Sequence, residues 1–431
     1  MIQRVAIRSM PAGVLDRVRV AAAAMPPSFV WGVAQTFGTR VLGIVVGVLT
    51  LTLTTWLLGP EGRGQFTLTM AAVAAIIQFG NAGLHASATY WLAQDHTRRH
   101  AVSSVLAWFS FGPIAVLFAL ALVAVRLWPQ LIPDVPIRYL ALAFLAGPPS
   151  MFMLLAGNAL LGLGRPGAFN LLDLAGKLAG ACAVVFLLWT RLDVVFGVYA
   201  ALHLVIAVVA YNLLVGSVPP GLPDWRTARD MIGFGARLFV ANLAMFLVLR
   251  LDLFLLNALA GTKQAGLYSV AVQIGDILML TSASVAAMLF PRLTAMEAGQ
   301  RWRATKRVLK VSGAVLAAIA IVLAAMARPV FARWFGPEFV DSTVALYWLL
   351  PGLWCLGMNT LLYQHLSAFG MPAFMVASTC AGAAFNGAVN LWAIPRYGMA
   401  GAAAVSSATY ILLLASTIVY LNTSRRTEFT T

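Results

Sequence analysis

Apolar runs long enough to cross a bilayer recur from one end of this chain to the other, and they leave almost nothing between them. Twelve can be marked, at about 28–58, 65–92, 102–125, 139–162, 167–190, 194–216, 232–259, 265–291, 309–327, 342–364, 368–393 and 399–421. A spanning helix needs roughly 20 mostly apolar residues, and within hydrocarbon every backbone polar group must be bonded internally. Long apolar runs therefore predict an all-α, multi-pass membrane protein. Composition agrees, at 61% hydrophobic, 10% charged and a mean hydropathy of +0.87. A soluble domain is about 45–50% apolar and about 25% charged.

The net charge of +15 is spread over short loops. It reads as membrane topology rather than nucleic-acid binding, because positive loops stay in the cytoplasm. With both termini placed there, seventeen Lys and Arg fall on the cytoplasmic side and eight on the other. The densest cluster, "RWRATKRVLK" (301–310), is expected as an inner loop at the headgroups. Residues 1–27 carry Arg4, Arg8, Arg17 and Arg19 with no apolar core before a cleavage site. They read as a cytoplasmic tail, amphipathic over 13–24. Cys182, Cys355 and Cys380 each sit alone in apolar sequence, so neither a disulfide framework nor a zinc motif is expected.

The chain divides near its middle. The segment 217–231, with Pro219, Pro220 and Pro223, reads as a cytoplasmic linker between a bundle at 28–216 and another at 232–421; 422–431 is a cytoplasmic tail. The bundles resemble each other. "LLGPEGRGQFTLT" (57–69) aligns with "LAGTKQAGLYSVA" (259–271) at an offset of 202, placing Gly59 on Gly261 and Gly64 on Gly266. "LGLGRPGA" (161–168) aligns with "SAFGMPAF" (367–374) at 206. Six spans per half is an even number, so the repeats are parallel. That is a transporter architecture with its site near the midplane between bundles.

Seven ionisable residues lie inside the spans: Arg40, Asp173, Lys177, Arg237, Arg250, Asp252 and Asp276. Each costs about 2.5–3.5 kcal/mol on insertion scales and so faces a cavity or a partner. Asp173 and Lys177 have the favourable i,i+4 order. Lys177 either closes that pair or lines the cavity. Arg250 and Asp252 are about 200° apart on a helix and need separate environments. Arg40, Arg237 and Arg250 are expected to share one cavity. Asp276 reads as a counter-ion or a protonatable coupling group, and Asp252 as charge balance or coupling. The polar run "FGNAGLHASATYW" (79–91) brings Asn81 and His85 to the end of the second span; His85 reads as a helix contact. Asn81 and Asn242 complete the cavity candidates with Lys177. Neither a catalytic constellation nor a metal set is visible, and there is no Gly-Lys-Ser/Thr phosphate loop.

The stretch "LRLDLFLLNALAGTKQAGLYSVAVQIGDIL" with "LFPRLTA" (289–295), together with "NAGLHASATYWLA", resembles the polysaccharide flippase branch of the multidrug/oligosaccharidyl-lipid/polysaccharide exporter superfamily. The resemblance implies a V-shaped pair of six-helix bundles that alternate access. It implies a polyprenyl-pyrophosphate-linked oligosaccharide as cargo, moved from the inner to the outer leaflet of the cytoplasmic membrane. Arg40, Arg237 and Arg250 are then the candidates for the pyrophosphate and acidic sugars, since arginine's planar fork suits phosphate. The drive is the membrane potential or exchange of a proton or sodium ion, with no cofactor. Membrane lipids and glycan-assembly proteins such as a polymerase are the implied partners. A drug or metabolite antiporter of the same superfamily is one alternative, and a membrane glycan polymerase or ligase another.

Overall fold

The computed structural model describes residues 27–428 apart from 217, 219, 220, 295, 369 and 371. The side chains at 27–37, 40, 237, 291, 298, 299 and 424–428 also lie outside the description, as does the amphipathic helix expected over 13–24. The described residues form thirteen α-helices and no strand. The first half holds α1 (Pro27–Gly80), α2 (Leu84–Gln94), α3 (Arg99–Phe111), α4 (Pro113–Leu127), α5 (Ile137–Phe144), α6 (Gly147–Gly162), α7 (Pro166–Val185) and α8 (Leu192–Val215). The second holds α9 (Trp225–Ala260), α10 (Thr262–Thr294), α11 (Ala298–Val330), α12 (Ser342–Ser367) and α13 (Ala373–Glu428).

Ten stretches among the described residues are long and apolar enough to cross a membrane. Two of them, 40 and 51 residues long, would reach about 60–75 Å as straight helices, twice a bilayer core of about 30 Å. Each is in fact two crossings, because Gly59 (φ 63°) in α1 and Gly398 (φ 54°) in α13 leave helical geometry. Twelve crossings result. Large apolar side chains stand exposed around the outside, Leu120 at 60% on α4 and Ile321 at 68% on α11, as a bilayer solvent requires.

Three sequence expectations change. The second crossing is not continuous: Asn81–Gly83 interrupts it, with φ of 49° at Ala82 and 77° at Gly83. The basic segment 301–310 is not a loop but the start of α11. It has neither Gly nor Pro between Gln300 and Ser312, and Arg, Lys, Ala and Leu are good helix formers. Residues 225–231 belong to α9 rather than to a linker. Asp224 caps that helix, accepting from the backbone N–H of Arg226 (3.1 Å) and Thr227 (3.3 Å), as N-cap aspartates do. The Thr227 hydroxyl adds a bond of 2.6 Å; these bonds, that hydroxyl's foremost, hold the Asp224 carboxyl below the usual carboxylate range.

The halves meet at two seams. At the Pro60 seam, a Cβ on Gly64 would fall 2.1 Å from the Thr262 carbonyl oxygen, and one on Gly266 would fall 1.8 Å from that of Pro60. The offset of 202 exchanges these two contacts, so the duplicated turns pack on each other about a pseudo-twofold axis. Trp334 donates to the Thr52 hydroxyl at 3.0 Å, and the Trp56 indole N–H donates to the Trp334 carbonyl. At the Gly83 seam, a Cβ on Gly83 would sit 2.2 Å from the Gly235 oxygen. There Ser87 donates to the Met231 carbonyl at 2.5 Å, and Tyr90 stacks on Phe234 at 4.2 Å. The seams are separated by the second arm of α1, about 20 residues or roughly 30 Å.

Candidate functional site

Between the seams lies a cavity of about 360 Å³ walled by α1, α9 and α10. Its position follows from the kinks. Gly59 turns the chain back so that the second arm of α1 begins with Pro60 at its first turn, where a missing N–H costs nothing. That arm carries Arg63 and Thr67 down one face toward Ser269, Gln273 and Asp276 of α10. These three are spaced four and three residues apart, which keeps them on one side of the helix.

Arg250 and Asp276 face each other across this space, Nη2 to Oδ2 at 3.6 Å, with side chains 40% and 46% exposed. Arg250 and Asp252 do leave α9 in different directions. Asp252 is 2% exposed, and three donors converge on its carboxylate: the Leu253 backbone N–H (2.8 Å), the Ser406 hydroxyl (2.7 Å) and the Tyr268 hydroxyl. It thereby ties α9 to α10 and α13. The chain continues through Asn386, which donates to Ser406 (3.3 Å) and Thr409 (3.2 Å), and Asn390, which donates to Asn386 (2.9 Å). Asp252→Ala leaves two buried hydroxyls without an acceptor, each worth about 1–3 kcal/mol. We expect a clear fall in thermal stability in detergent, by roughly 2–6 kcal/mol, and a smaller fall for Asp252→Asn, which keeps an acceptor oxygen. Equal stability of the alanine variant and wild type would refute this role.

Arg63 is one of the eight basic residues that the sequence places on the outer side, in the loop between the first two spans; the structure places it instead inside the second arm of α1. Arg63 is 4% exposed on the cavity wall. Its Nη1 donates to the Thr54 hydroxyl (2.5 Å), Nη2 to Gln273 Oε1 (2.6 Å) and Nε to the Ser269 hydroxyl (3.2 Å). Among the described residues no carboxylate pairs with it. A buried guanidinium satisfied only by neutral acceptors leaves its charge uncompensated.

The other sequence candidates separate. Asp173 and Lys177 form an ion pair of 2.6 Å. Lys177 also borders a second chamber of about 270 Å³, which shares Thr50, Phe66, Met70 and Gln273 with the central cavity. Asn81 and Asn242 are not on the central cavity wall. They flank His85 at the Gly83 seam, with Asn81 Nδ2 2.7 Å from its Nδ1 and Asn242 Nδ2 3.5 Å from its Nε2. Arg40 lies on α1 and Arg237 on α9; their side chains are outside the described residues. Among those described, no His, Cys, Asp and Glu cluster could hold a metal.

Two six-crossing halves enclosing a cavity lined by two arginines and two aspartates define a class of membrane protein, and comparison with known proteins gives the family. The model of the polysaccharide biosynthesis protein family matches residues 30–297; the chain belongs to that family. It is 20% identical over 278 residues, 63% of its length and 58% of the relative's, to a probable low-salt glycan biosynthesis flippase, Agl15, of Haloferax volcanii. It is 25% identical over 202 residues, 46% of its length and 40% of the relative's, to an uncharacterized membrane protein of Methanocaldococcus jannaschii. The chain thus spans well under two thirds of these relatives. In fold it is similar to the lipid II flippase MurJ in an inward closed conformation, with a TM-score of 0.70 at 11% identity, covering 91% of this chain and 87% of that one. It is also similar to an outward-facing multidrug resistance MATE family transporter, at 0.64 and 14% identity, covering 93% and 96%. These two likenesses concern the fold alone.

Proposed function

We propose that this protein is a flippase that carries a polyprenyl-diphosphate-linked oligosaccharide from the inner to the outer leaflet of the cytoplasmic membrane by alternating access. The carrying observation is the pair of guanidiniums, Arg63 and Arg250, in one cavity between two halves that touch at both ends. Among the described residues Arg63 has no carboxylate partner, and Arg250 holds Asp276 at the long distance of 3.6 Å. Both can therefore take phosphate oxygens, with Asp276 exchanged for the diphosphate. Family membership and the glycan flippase among the relatives support the same cargo class.

In this reading both termini are cytoplasmic and the Pro60 seam is the outer gate. The lipid tail stays in the bilayer while the headgroup crosses between the halves. An inside-negative potential favours export of the anion by about 2.3 kcal/mol per charge per 100 mV. That drive needs no cofactor, and the partners are membrane lipids and the proteins that build and polymerise the glycan. The test uses purified protein in liposomes bearing a fluorescent polyprenyl-diphosphate sugar and a quencher that reaches one leaflet. Protein-dependent flipping, faster at an imposed potential, is expected. Transport of cationic dyes with no movement of the glycolipid would reject the proposal.

A further inference from the structure

We infer that Arg63 is also the bolt of the Pro60 seam, and that an anionic headgroup draws it. This deepens the flippase reading and rests on it for the identity of the anion. Two of the three bonds Arg63 makes reach the other half of the molecule, to Ser269 and Gln273 on α10. Both acceptors belong to the seam itself. Ser269 donates to the Gly266 carbonyl at 2.7 Å, one turn from the backbone contact with Pro60. Thr67 donates to Ser269 at 3.3 Å, and Gln273 donates to the Gly47 carbonyl on the first arm of α1 at 3.3 Å. Arg63, Thr67, Ser269 and Gln273 line the cavity in which Arg250 and Asp276 stand. The bolt therefore lies where cargo would rest, not at a distance from it.

Every acceptor on Arg63 is neutral, a hydroxyl or an amide oxygen. Hydrogen bonds from guanidinium to phosphate are charge-assisted at both ends and about twice as strong as neutral ones, and the planar fork can bind two phosphate oxygens together. A diphosphate in the cavity outcompetes Ser269 and Gln273 for the same N–H groups. While the seam is closed those groups are occupied by α10; once it opens they are free. The anion thus binds the open seam better than the closed one, and this difference is what a ligand needs to shift a conformational equilibrium. An empty carrier stays bolted at this end, and a loaded one is released.

The experiment measures the seam directly. Spin labels on cysteines at Leu57 and Lys263, with Cys182, Cys355 and Cys380 replaced by alanine, report the distance by pulsed EPR in nanodiscs. Farnesyl diphosphate is the probe and farnesol the neutral control. In wild type the diphosphate should enlarge the long-distance population and farnesol should not. Ser269→Ala with Gln273→Leu, which keeps Arg63, should raise the open-to-closed ratio roughly tenfold without any probe. Gln273→Glu should do the reverse: it gives Arg63 a carboxylate partner, holds the seam closed and abolishes the response. A double variant as closed as wild type, or a Gln273→Glu variant that opens normally with the diphosphate, overturns the bolt. Binding of the diphosphate to wild type, followed by calorimetry, without any change in distance overturns the coupling while leaving an anion site. Absence of binding rejects the anionic-cargo reading instead, and is told apart because the double variant needs no ligand.

Discussion

Arg250→Ala is expected to slow glycolipid flipping by about 100-fold or more. A guanidinium that takes two phosphate oxygens makes two charge-assisted hydrogen bonds, each worth about 1.5–3 kcal/mol, and here the loss has two parts. The headgroup loses a guanidinium, and Asp276 is left as an uncompensated carboxylate 46% exposed to the space the anion must enter. Arg250→Lys should recover part of the rate, since it restores the charge without the fork. Asp276→Asn should act differently. It frees Arg250 for phosphate and removes the group that would reclaim it, so apparent KM and maximal rate both fall. Initial rates against cargo concentration in proteoliposomes separate these patterns. Wild-type kinetics in Arg250→Ala would remove this arginine from the cargo path.

How far this site can be read from sequence depends on whether a residue's partners lie within its own helix. The Asp173–Lys177 pair is legible, because i,i+4 spacing alone brings the groups together. So is the divergence of Arg250 and Asp252, a matter of 100° per residue. The partner of Arg250 is only half legible: Asp276 can be named as a counter-ion, but its helix packs beside α9 through tertiary contacts. Arg63 was missed for a specific reason. In "LLGPEGRGQ" the glycines and proline read as a loop, and a loop charge reads as solvated. The chain in fact turns within two residues, and Pro60 starts a new helix. The usable signal was Pro60 as a first-turn residue, which places Arg63 inside the next crossing. The polar positions Ser269, Gln273 and Asp276 on one face of α10 were the second signal, since a span with such a face needs polar company. Asn81 and Asn242 were misplaced because a polar residue in a span has two outlets, a cavity or a seam. The run Gly80-Asn81-Ala82-Gly83 does carry a turn signature, but it does not say that the break packs on another helix at a seam. The duplication was visible as aligned glycines, but alignment could not reveal that Gly64 and Gly266 serve the same contact from opposite sides.

That shared contact gives a second large effect, from the removal of no functional group at all. Gly266→Ala is expected to abolish transport while leaving the protein folded. Within a helix the change is favourable, by roughly 0.5–1 kcal/mol, because glycine loses more backbone entropy than alanine. Across the seam it is not, because the new methyl carbon would lie 1.8 Å from the Pro60 carbonyl oxygen. Backbone on both sides leaves no flexible side chain to yield, so the arms must separate by more than about 1 Å, and packed interfaces respond to such strain by switching rather than deforming. The closed seam is lost and the open one is untouched or slightly favoured. Gly64→Ala should behave the same way, its methyl carbon meeting the Thr262 carbonyl at 2.1 Å. Thermal stability, the EPR distance between positions 57 and 263, and flipping rate together test the point: near-normal unfolding, a permanently long distance and no transport are expected. A Gly266→Ala protein that closes and transports like wild type would show that the turns do not bear on each other in the working cycle. Unfolding of the variant would instead make the contact a requirement of the fold, in which case the bolt variants at Ser269 and Gln273 still report on the gate, since they reach the same seam through side chains alone.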